Sequence, residues 1–137
     1  MAAPVELIKS VPLFARLDDR ELKTLAATFT ERSFQAGQNL TTEGQGAAGF
    51  FVIESGQASV TVDGETRGTL GPGDYYGEIA LLDGGARTAT ITAASDGKSY
   101  GLTSWQFRPL VEEHSSIAWP LLETLAARIR QIEARNQ

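Results

Sequence analysis

The sequence contains no cysteine and a single histidine, His114. Without cysteine the chain can form neither a disulfide nor a thiolate metal site. Metal-dependent enzymes on β folds need several histidines or carboxylates around one ion, and one histidine cannot supply them. No serine stands in a nucleophile motif, and no carboxylate pairs with Glu78. We therefore expect no catalytic residues, no metal ion and no cofactor, and we predict that the chain is not an enzyme.

Positive charge is also scarce, since 12 lysines and arginines stand against 17 acidic residues and give a net charge of −5. Because no basic cluster offsets this balance, we expect no binding to nucleic acid by this chain alone. The N-terminal segment has no apolar run long enough for a signal peptide or a membrane span. The sequence therefore predicts a cytoplasmic protein without membrane contact, in which local groups would have to hold any anionic ligand.

The chain reads as one globular domain over residues 1–137, with 42% apolar and 21% charged residues. Residues 1–29 are predicted to be helical, residues 30–103 to be β, and residues 104–137 to be helical again. In the first part, Val5–Lys9 is predicted to form one helical turn. Asp18 is predicted to cap a helix from Asp19 to Thr28, with Glu21 completing a capping box.

Short alternating runs separated by glycine fill the middle of the chain, and thirteen of the 14 glycines fall between Gly37 and Gly97. This pattern is typical of a β-sandwich or barrel. Asp63-Gly64 predicts a tight hairpin turn between two of the strands.

Two helices are predicted after residue 103. The first covers Trp105–Glu113 and contains Pro109, and the second is longer and would be capped by Ser115 or Ser116. Because proline lacks an amide N–H, Pro120 is expected in or before the first turn of the second helix.

The second helix carries an apolar repeat with 3-4-3 spacing, formed by Leu122, Leu125, Ile129 and Ile132. This repeat predicts a seam that packs either on the β core or on a second copy of the chain. The two tryptophans, Trp105 and Trp119, are expected to anchor the helices on the core.

The stretch Gly77–Thr90 combines a short helix over Glu78–Leu82, a Gly-Gly pair, Arg87 and an alternating strand. Backbone amides at the start of a helix suit a phosphate, and an arginine can bind phosphate oxygens through two parallel hydrogen bonds. Glu78 would then have to face another part of the ligand, such as a sugar hydroxyl. The stretch predicts an anion pocket in which a carboxylate and a guanidinium contact opposite ends of one ligand.

This stretch, Gly77-Glu78-Ile79-Ala80-Leu81 followed by Arg87-Thr88-Ala89, resembles the phosphate-binding cassette of cyclic nucleotide-binding domains. The resembling family is that of the catabolite activator protein and the regulatory subunits of protein kinase. Other segments of the chain also resemble this family. They are Val11–Phe14, Ala36–Leu40 with Glu43-Gly44, and Phe51–Gly56. The resemblance implies a mainly β fold with flanking helices: an eight-stranded double-stranded β-helix, or jelly roll. N-terminal helices, a cassette helix and two C-terminal helices would complete it.

The resemblance also implies roles for the cassette residues. Arg87 would bind the cyclic phosphate, and Glu78 would bind the ribose 2′-hydroxyl. The backbone amides of Gly77, Ile79 and Ala80 would bind around the sugar and phosphate. Thr88 and Ala89 would close the phosphate side. The implied ligand is cAMP, and the threonine after the arginine leaves cGMP open.

A lid over the base is implied at Arg128 and Ile132 of the C-terminal helix. Other interpretations stay open, namely that Arg128 is a solvated charge and that Ile132 belongs to the core or to a dimer seam. The implied function is a regulatory sensor whose C-terminal helices respond to the nucleotide and act on an effector domain or protein. The alternative is a dimerisation or protein-interaction module that works without nucleotide, with a homodimer formed through the C-terminal helix.

Overall fold

The computed structural model describes residues 3–42, 44, 49–83 and 89–136. Its strands are β1 (Thr30–Phe34), β2 (Asn39–Thr41), β3 (Phe50–Ser55), β4 (Ala58–Val62), β5 (Glu65–Leu70), β6 (Tyr75–Tyr76), β7 (Thr90–Ala93) and β8 (Gly97–Leu102). Its helices are α1 (Val5–Lys9), α2 (Asp19–Thr28), α3 (Glu78–Asp83), α4 (Ser104–Glu113) and α5 (Ser115–Arg135), with a 3₁₀ turn at Pro12–Phe14.

The strands form two antiparallel four-stranded sheets. The first sheet has the order β1-β8-β3-β6 and the second has the order β2-β7-β4-β5. Apart from the β4–β5 hairpin, consecutive strands alternate between the two sheets in the manner of a jelly roll, and helices lie before, within and after it. The predicted fold class, mainly β with eight strands and flanking helices, is confirmed.

The first sheet separates two cores, because successive side chains along its strands point to opposite faces. Phe50 and Val52 of β3, opposite Leu102 and Tyr100 of β8, pack with the helices. Residues of the opposite face, with Ile53 among them, pack inside the roll against the second sheet. The helices therefore share a core with the first sheet.

The N-terminal helices form as predicted. Asp18 caps α2, since its Oδ1 accepts the Glu21 amide at 2.8 Å while the Glu21 Oε1 accepts the Asp18 amide at 3.0 Å. Leu22 and Leu25 of this helix are fully buried. The capping box fixes where α2 begins, and its apolar face covers the first sheet.

The Asp63-Gly64 hairpin also forms as predicted. Both residues have positive φ, 52° and 79°, between the paired strands β4 and β5. Such a turn matches the natural twist of the two strands, which is why Asp-Gly is favoured there.

Two predictions about the start of α5 are wrong. The helix begins at Ser115 itself, so neither Ser115 nor Ser116 is its cap; His114 holds that position without a side-chain cap bond. Pro120 is the sixth residue, beyond the first turn. The amide that proline lacks would have bonded to the carbonyl of the exposed Ser116, which water can satisfy instead.

The prediction that the tryptophans anchor the C-terminal helices is also wrong. Trp105 and Trp119 are 66% and 67% exposed, whereas Phe107, Ile117 and Leu121 are buried and hold α4 and α5 on the core. Most of the predicted seam faces outward too, since Leu122, Ile129 and Ile132 are 53%, 57% and 56% exposed. We call the exposed residues Trp119, Leu122, Ile129 and Ile132 the apolar stripe of α5.

Candidate functional site

The site begins where the chain leaves the edge of the first sheet. Tyr75 and Tyr76 form β6, the edge strand beside β3. Gly77 follows with a φ of 89°, a conformation that glycine adopts readily because it has no Cβ. The Leu81 amide then donates to the Gly77 carbonyl at 3.0 Å and closes the first turn of α3. The glycine thus places Glu78 at the first position of a helix, as the sequence predicts.

Helix α3 is held in place by its own apolar face. Leu81 is buried in the core shared by the helices and the first sheet. The helix lies against β3 and α4. Its last residue is Asp83, one position beyond the predicted Leu82.

Glu78 is bonded to the C-terminal helix. Its Oε2 accepts a hydrogen bond from Nη2 of Arg128 at 3.0 Å, and only 22% and 30% of the two side chains are exposed. A charge-assisted bond shielded from water is stronger than an ion pair on the open surface. The contact therefore joins the start of α3 to α5 across 50 positions of sequence.

Tyr75 belongs to the same electrostatic cluster. Burial raises the pKa of its phenol above the ordinary value, the Glu78 carboxylate raises this pKa further, and Arg128 opposes the rise. The phenol therefore stays neutral throughout the physiological range and can act as a hydrogen-bond donor there.

The structure places only part of the predicted cassette. Gly77 directly precedes α3, and the backbone of Glu78, Ile79 and Ala80 forms its start. Ala89 directly precedes β7, and its carbonyl accepts a hydrogen bond from the Thr41 hydroxyl at 3.2 Å. Arg87 and Thr88 lie outside the described residues, so the predicted phosphate contacts stay predictions.

The two predicted lid residues differ. Arg128 is not a solvated charge, because it bonds to Glu78. Ile132 is exposed, so the interpretation that places it in the core is wrong, and its role as a lid or in a dimer seam stays a prediction.

The Glu78–Arg128 bond was missed from the sequence, although a signal for it exists. Ile117, Leu121 and Thr124 are buried, and Arg128 continues their 4-3-4 spacing along α5. That spacing places the arginine on the packed face of the helix, where a charge needs a partner.

Neither a metal site nor a membrane helix is found within the described ranges. No three histidine or acidic side chains gather there as ligands for an ion. No described helix combines the length and the apolar character that crossing a bilayer requires.

Comparison with known proteins identifies the domain type. The family model of the cyclic nucleotide-binding domain matches residues 31–114. A cAMP-dependent protein kinase regulatory subunit from Yarrowia lipolytica is 41% identical over 88 residues, which are 63% of this chain and 24% of the relative. The chain spans about a quarter or less of the length of the curated relatives it matches.

Solved structures agree with this family. The N-terminal domain of a transcriptional regulator from Streptomyces coelicolor superposes with a TM-score of 0.86 at 30% identity, covering 94% of this chain and 93% of that one. The regulatory domain of Toxoplasma gondii PKA, solved with cAMP, gives a TM-score of 0.70 at 30% identity and covers 80% of this chain and 44% of that one. Since the family model spans more than half of the sequence and the jelly roll has its fold, the chain belongs to the cyclic nucleotide-binding domain family.

Proposed function

We propose that this domain is a cAMP sensor that reports nucleotide binding through α5. The observation that carries the proposal is the bond between Glu78 and Arg128. The carboxylate that the family resemblance assigns to the ribose is the same group that holds the C-terminal helix. Relatives with cAMP in their names, the Yarrowia lipolytica kinase subunit and the Toxoplasma gondii PKA domain, support cAMP as the ligand.

The bond leaves Glu78 free to bind a ribose as well. Only Oε2 is bonded to Arg128, and Oε1 makes no hydrogen bond to a described residue. A ribose 2′-hydroxyl would donate to Oε1 and complete a chain from ligand through Glu78 to α5. A ligand that binds more tightly to one arrangement of α5 than to another shifts the domain toward the first arrangement. The shift is set by the difference between the two affinities, and it would report binding.

The phosphate end of the ligand is assigned to the second half of the cassette. We propose that Arg87 binds the cyclic phosphate, with the amides of Gly77, Ile79 and Ala80 around the sugar and phosphate, and with Thr88 and Ala89 beside it. An arginine suits this role because its planar guanidinium matches two phosphate oxygens at once. In this proposal the domain binds the nucleotide and does not hydrolyse it.

The phosphate contact is tested by replacing Arg87 with alanine. We expect Arg87→Ala to weaken cAMP binding by at least tenfold, since leaving a shielded phosphate unpaired costs about 2–5 kcal/mol. Arg67→Ala is the matched control, because Arg67 is an exposed arginine on β5 whose ion pair among the described residues is with Glu65 beside it. Both affinities are measured by titration calorimetry. Equal affinities of the two variants would remove Arg87 from the site.

The ribose contact is tested separately with the ligand instead of the protein. A 2′-deoxy analogue of cAMP lacks the hydroxyl that Glu78 is proposed to bind, so it should bind more weakly than cAMP. Unchanged affinity for the analogue would remove the role of Glu78 while leaving that of Arg87 in place.

A second function is favoured by the apolar stripe of α5. Four large apolar side chains are each more than half exposed along one face of this helix. Contiguous apolar surface of this kind marks interaction sites, and its spacing fits a second copy of the same helix. The second proposal is therefore a homodimer through α5, which would carry the signal between two domains or act without nucleotide.

A further inference from the structure

A groove opens between the edges of the two sheets, away from the cassette. It lies between β1 and β2, each of which is the outermost strand of its sheet, and the start of α4 closes one end. Its volume is about 600 Å³, within the range of small-molecule sites. Gly77 and Glu78 do not line this β1–β2 groove, although Tyr76 borders it.

The charge on the walls of the groove has one sign. Arg32 is the one charged residue among the described residues that line it, in a protein with a net charge of −5. Its side chain is exposed, and no ion pair or hydrogen bond to a described residue occupies its guanidinium. Because no described lining residue is a carboxylate, this guanidinium favours a monoanion.

Three side-chain amides on the walls use their oxygens as hydrogen-bond acceptors. The Oε1 of Gln38 accepts the Gln35 amide at 3.2 Å, and the Oδ1 of Asn39 accepts the Thr92 hydroxyl at 3.0 Å. The Oε1 of Gln106 accepts the Thr103 hydroxyl at 2.8 Å. With their oxygens engaged, all three amides keep NH₂ groups that donate to no described residue, so the groove offers donors and suits an acceptor-rich ligand.

Four aromatic side chains also line the groove. Phe51 stacks on Tyr76 with ring centroids 5.3 Å apart, and Phe34 and Trp105 also line the groove. Trp105 is 66% exposed. A tryptophan that served only to anchor α4 on the core would be buried. Flat apolar walls of this kind bind a planar apolar group, and their combination with polar donors is characteristic of ligand sites.

We propose that the β1–β2 groove is a second ligand site, which binds a small carboxylate carrying an aromatic ring. Arg32 receives the carboxylate, whose two oxygens match a guanidinium in the bidentate geometry. Trp105 covers the ring at the mouth of the groove. None of the described cassette residues lines the groove, although Tyr76, which borders it, directly precedes Gly77.

The test is a calorimetric titration of the whole chain with 2-naphthoate as the probe and its neutral amide as the control ligand. We expect 2-naphthoate to bind at least tenfold more tightly than 2-naphthamide. Arg32→Gln should weaken naphthoate binding by at least tenfold, whereas the exposed Arg67→Gln should leave it unchanged. Trp105→Ala should weaken binding of both probes, and Trp119→Ala, which removes an equally exposed tryptophan elsewhere, should not.

Three results would overturn the proposal. They are the absence of naphthoate binding at millimolar concentration, equal binding of acid and amide, and displacement of naphthoate by cAMP. The last result would make the groove part of the nucleotide pocket. Arg87→Ala should bind naphthoate as the native chain does, so the outcome is independent of the proposed cAMP function.

Discussion

At the scale of single residues, the most informative contact is the bond between Glu78 and Arg128. The two side chains lie on the first residue of α3 and on the packed face of α5, and they are the described polar link between these helices. Both side chains are mostly shielded from water. Removing either one alone would therefore leave the other as an uncompensated charge.

We expect a double-mutant cycle with Glu78→Gln and Arg128→Gln to give a coupling free energy of about 1–2 kcal/mol, because charge-assisted bonds in shielded positions are stronger than exposed ones. Urea unfolding of the four proteins measures it. The exposed pair Arg108–Glu112 on α4 is the control, at 3.1 Å with side chains 86% and 67% exposed. Its coupling should be about 0.5 kcal/mol or less. Equal coupling in both pairs would contradict a special link between α3 and α5.

Gly56 shows how one residue can restrict the turn after β3. Its φ is 87°, and a Cβ there would lie 2.6 Å from the Asp96 carbonyl oxygen and 2.8 Å from the Gly97 Cα. Gly37 has a φ of 88° but open space around it. The two glycines therefore share the backbone conformation and differ in their surroundings.

We expect Gly37→Ala to lower the free energy of unfolding by about 1–2 kcal/mol, the cost of a left-handed conformation. Gly56→Ala should lower it by about 1–3 kcal/mol more, because the backbone atoms that its Cβ meets cannot move aside. Urea unfolding compares the two variants. Equal destabilisation would mean that the loop around Gly56 adjusts freely.

At the scale of elements, α5 has two faces with different partners. Ile117 and Leu121 pack on the core and Arg128 bonds to α3, whereas the apolar stripe faces outward. A displacement of α5 at its contact with α3 would also displace the apolar stripe, because both lie on the same helix.

The homodimer proposal is tested by placing a charge in the middle of the stripe. Ile129→Glu should turn a dimer into a monomer, since a carboxylate facing its own copy in an apolar seam is repelled and loses hydration. Gln131→Glu, on an exposed position outside the stripe, adds the same charge and should leave the dimer intact. Light scattering at several protein concentrations, with and without cAMP, reports the mass. A native chain that stays monomeric throughout would contradict the proposal.

The elements show which predictions the sequence could support. The capping box at Asp18 and the Asp63-Gly64 turn are local, so neighbouring residues suffice to predict them. The exposure of the tryptophans and of the stripe could not be predicted, because it depends on which faces of α4 and α5 pack on the shared core. The 3-4-3 repeat describes an apolar face but not its partner, whereas the spacing through Ile117, Leu121 and Arg128 identifies the packed face once the docking is known.

At the scale of the whole molecule, the jelly roll brings distant segments together. The cassette residues 77–80 and Arg128 are far apart in sequence, and their juxtaposition follows from the path of the chain through two sheets and back along α5. The resemblance at Gly77–Ala89 predicted the fold correctly because the cassette occurs inside this β pattern. It could not predict the groove between β1 and β2, which forms from two sheet edges and the start of α4.

The proposed function requires that the domain bind a cyclic nucleotide through the cassette. Calorimetric titration of the native chain with cAMP, alongside 5′-AMP, measures this binding. We expect saturable binding of cAMP and much weaker binding of 5′-AMP, whose open phosphate does not present the cyclic ester. No heat and no thermal stabilisation with either cAMP or cGMP would contradict the claim.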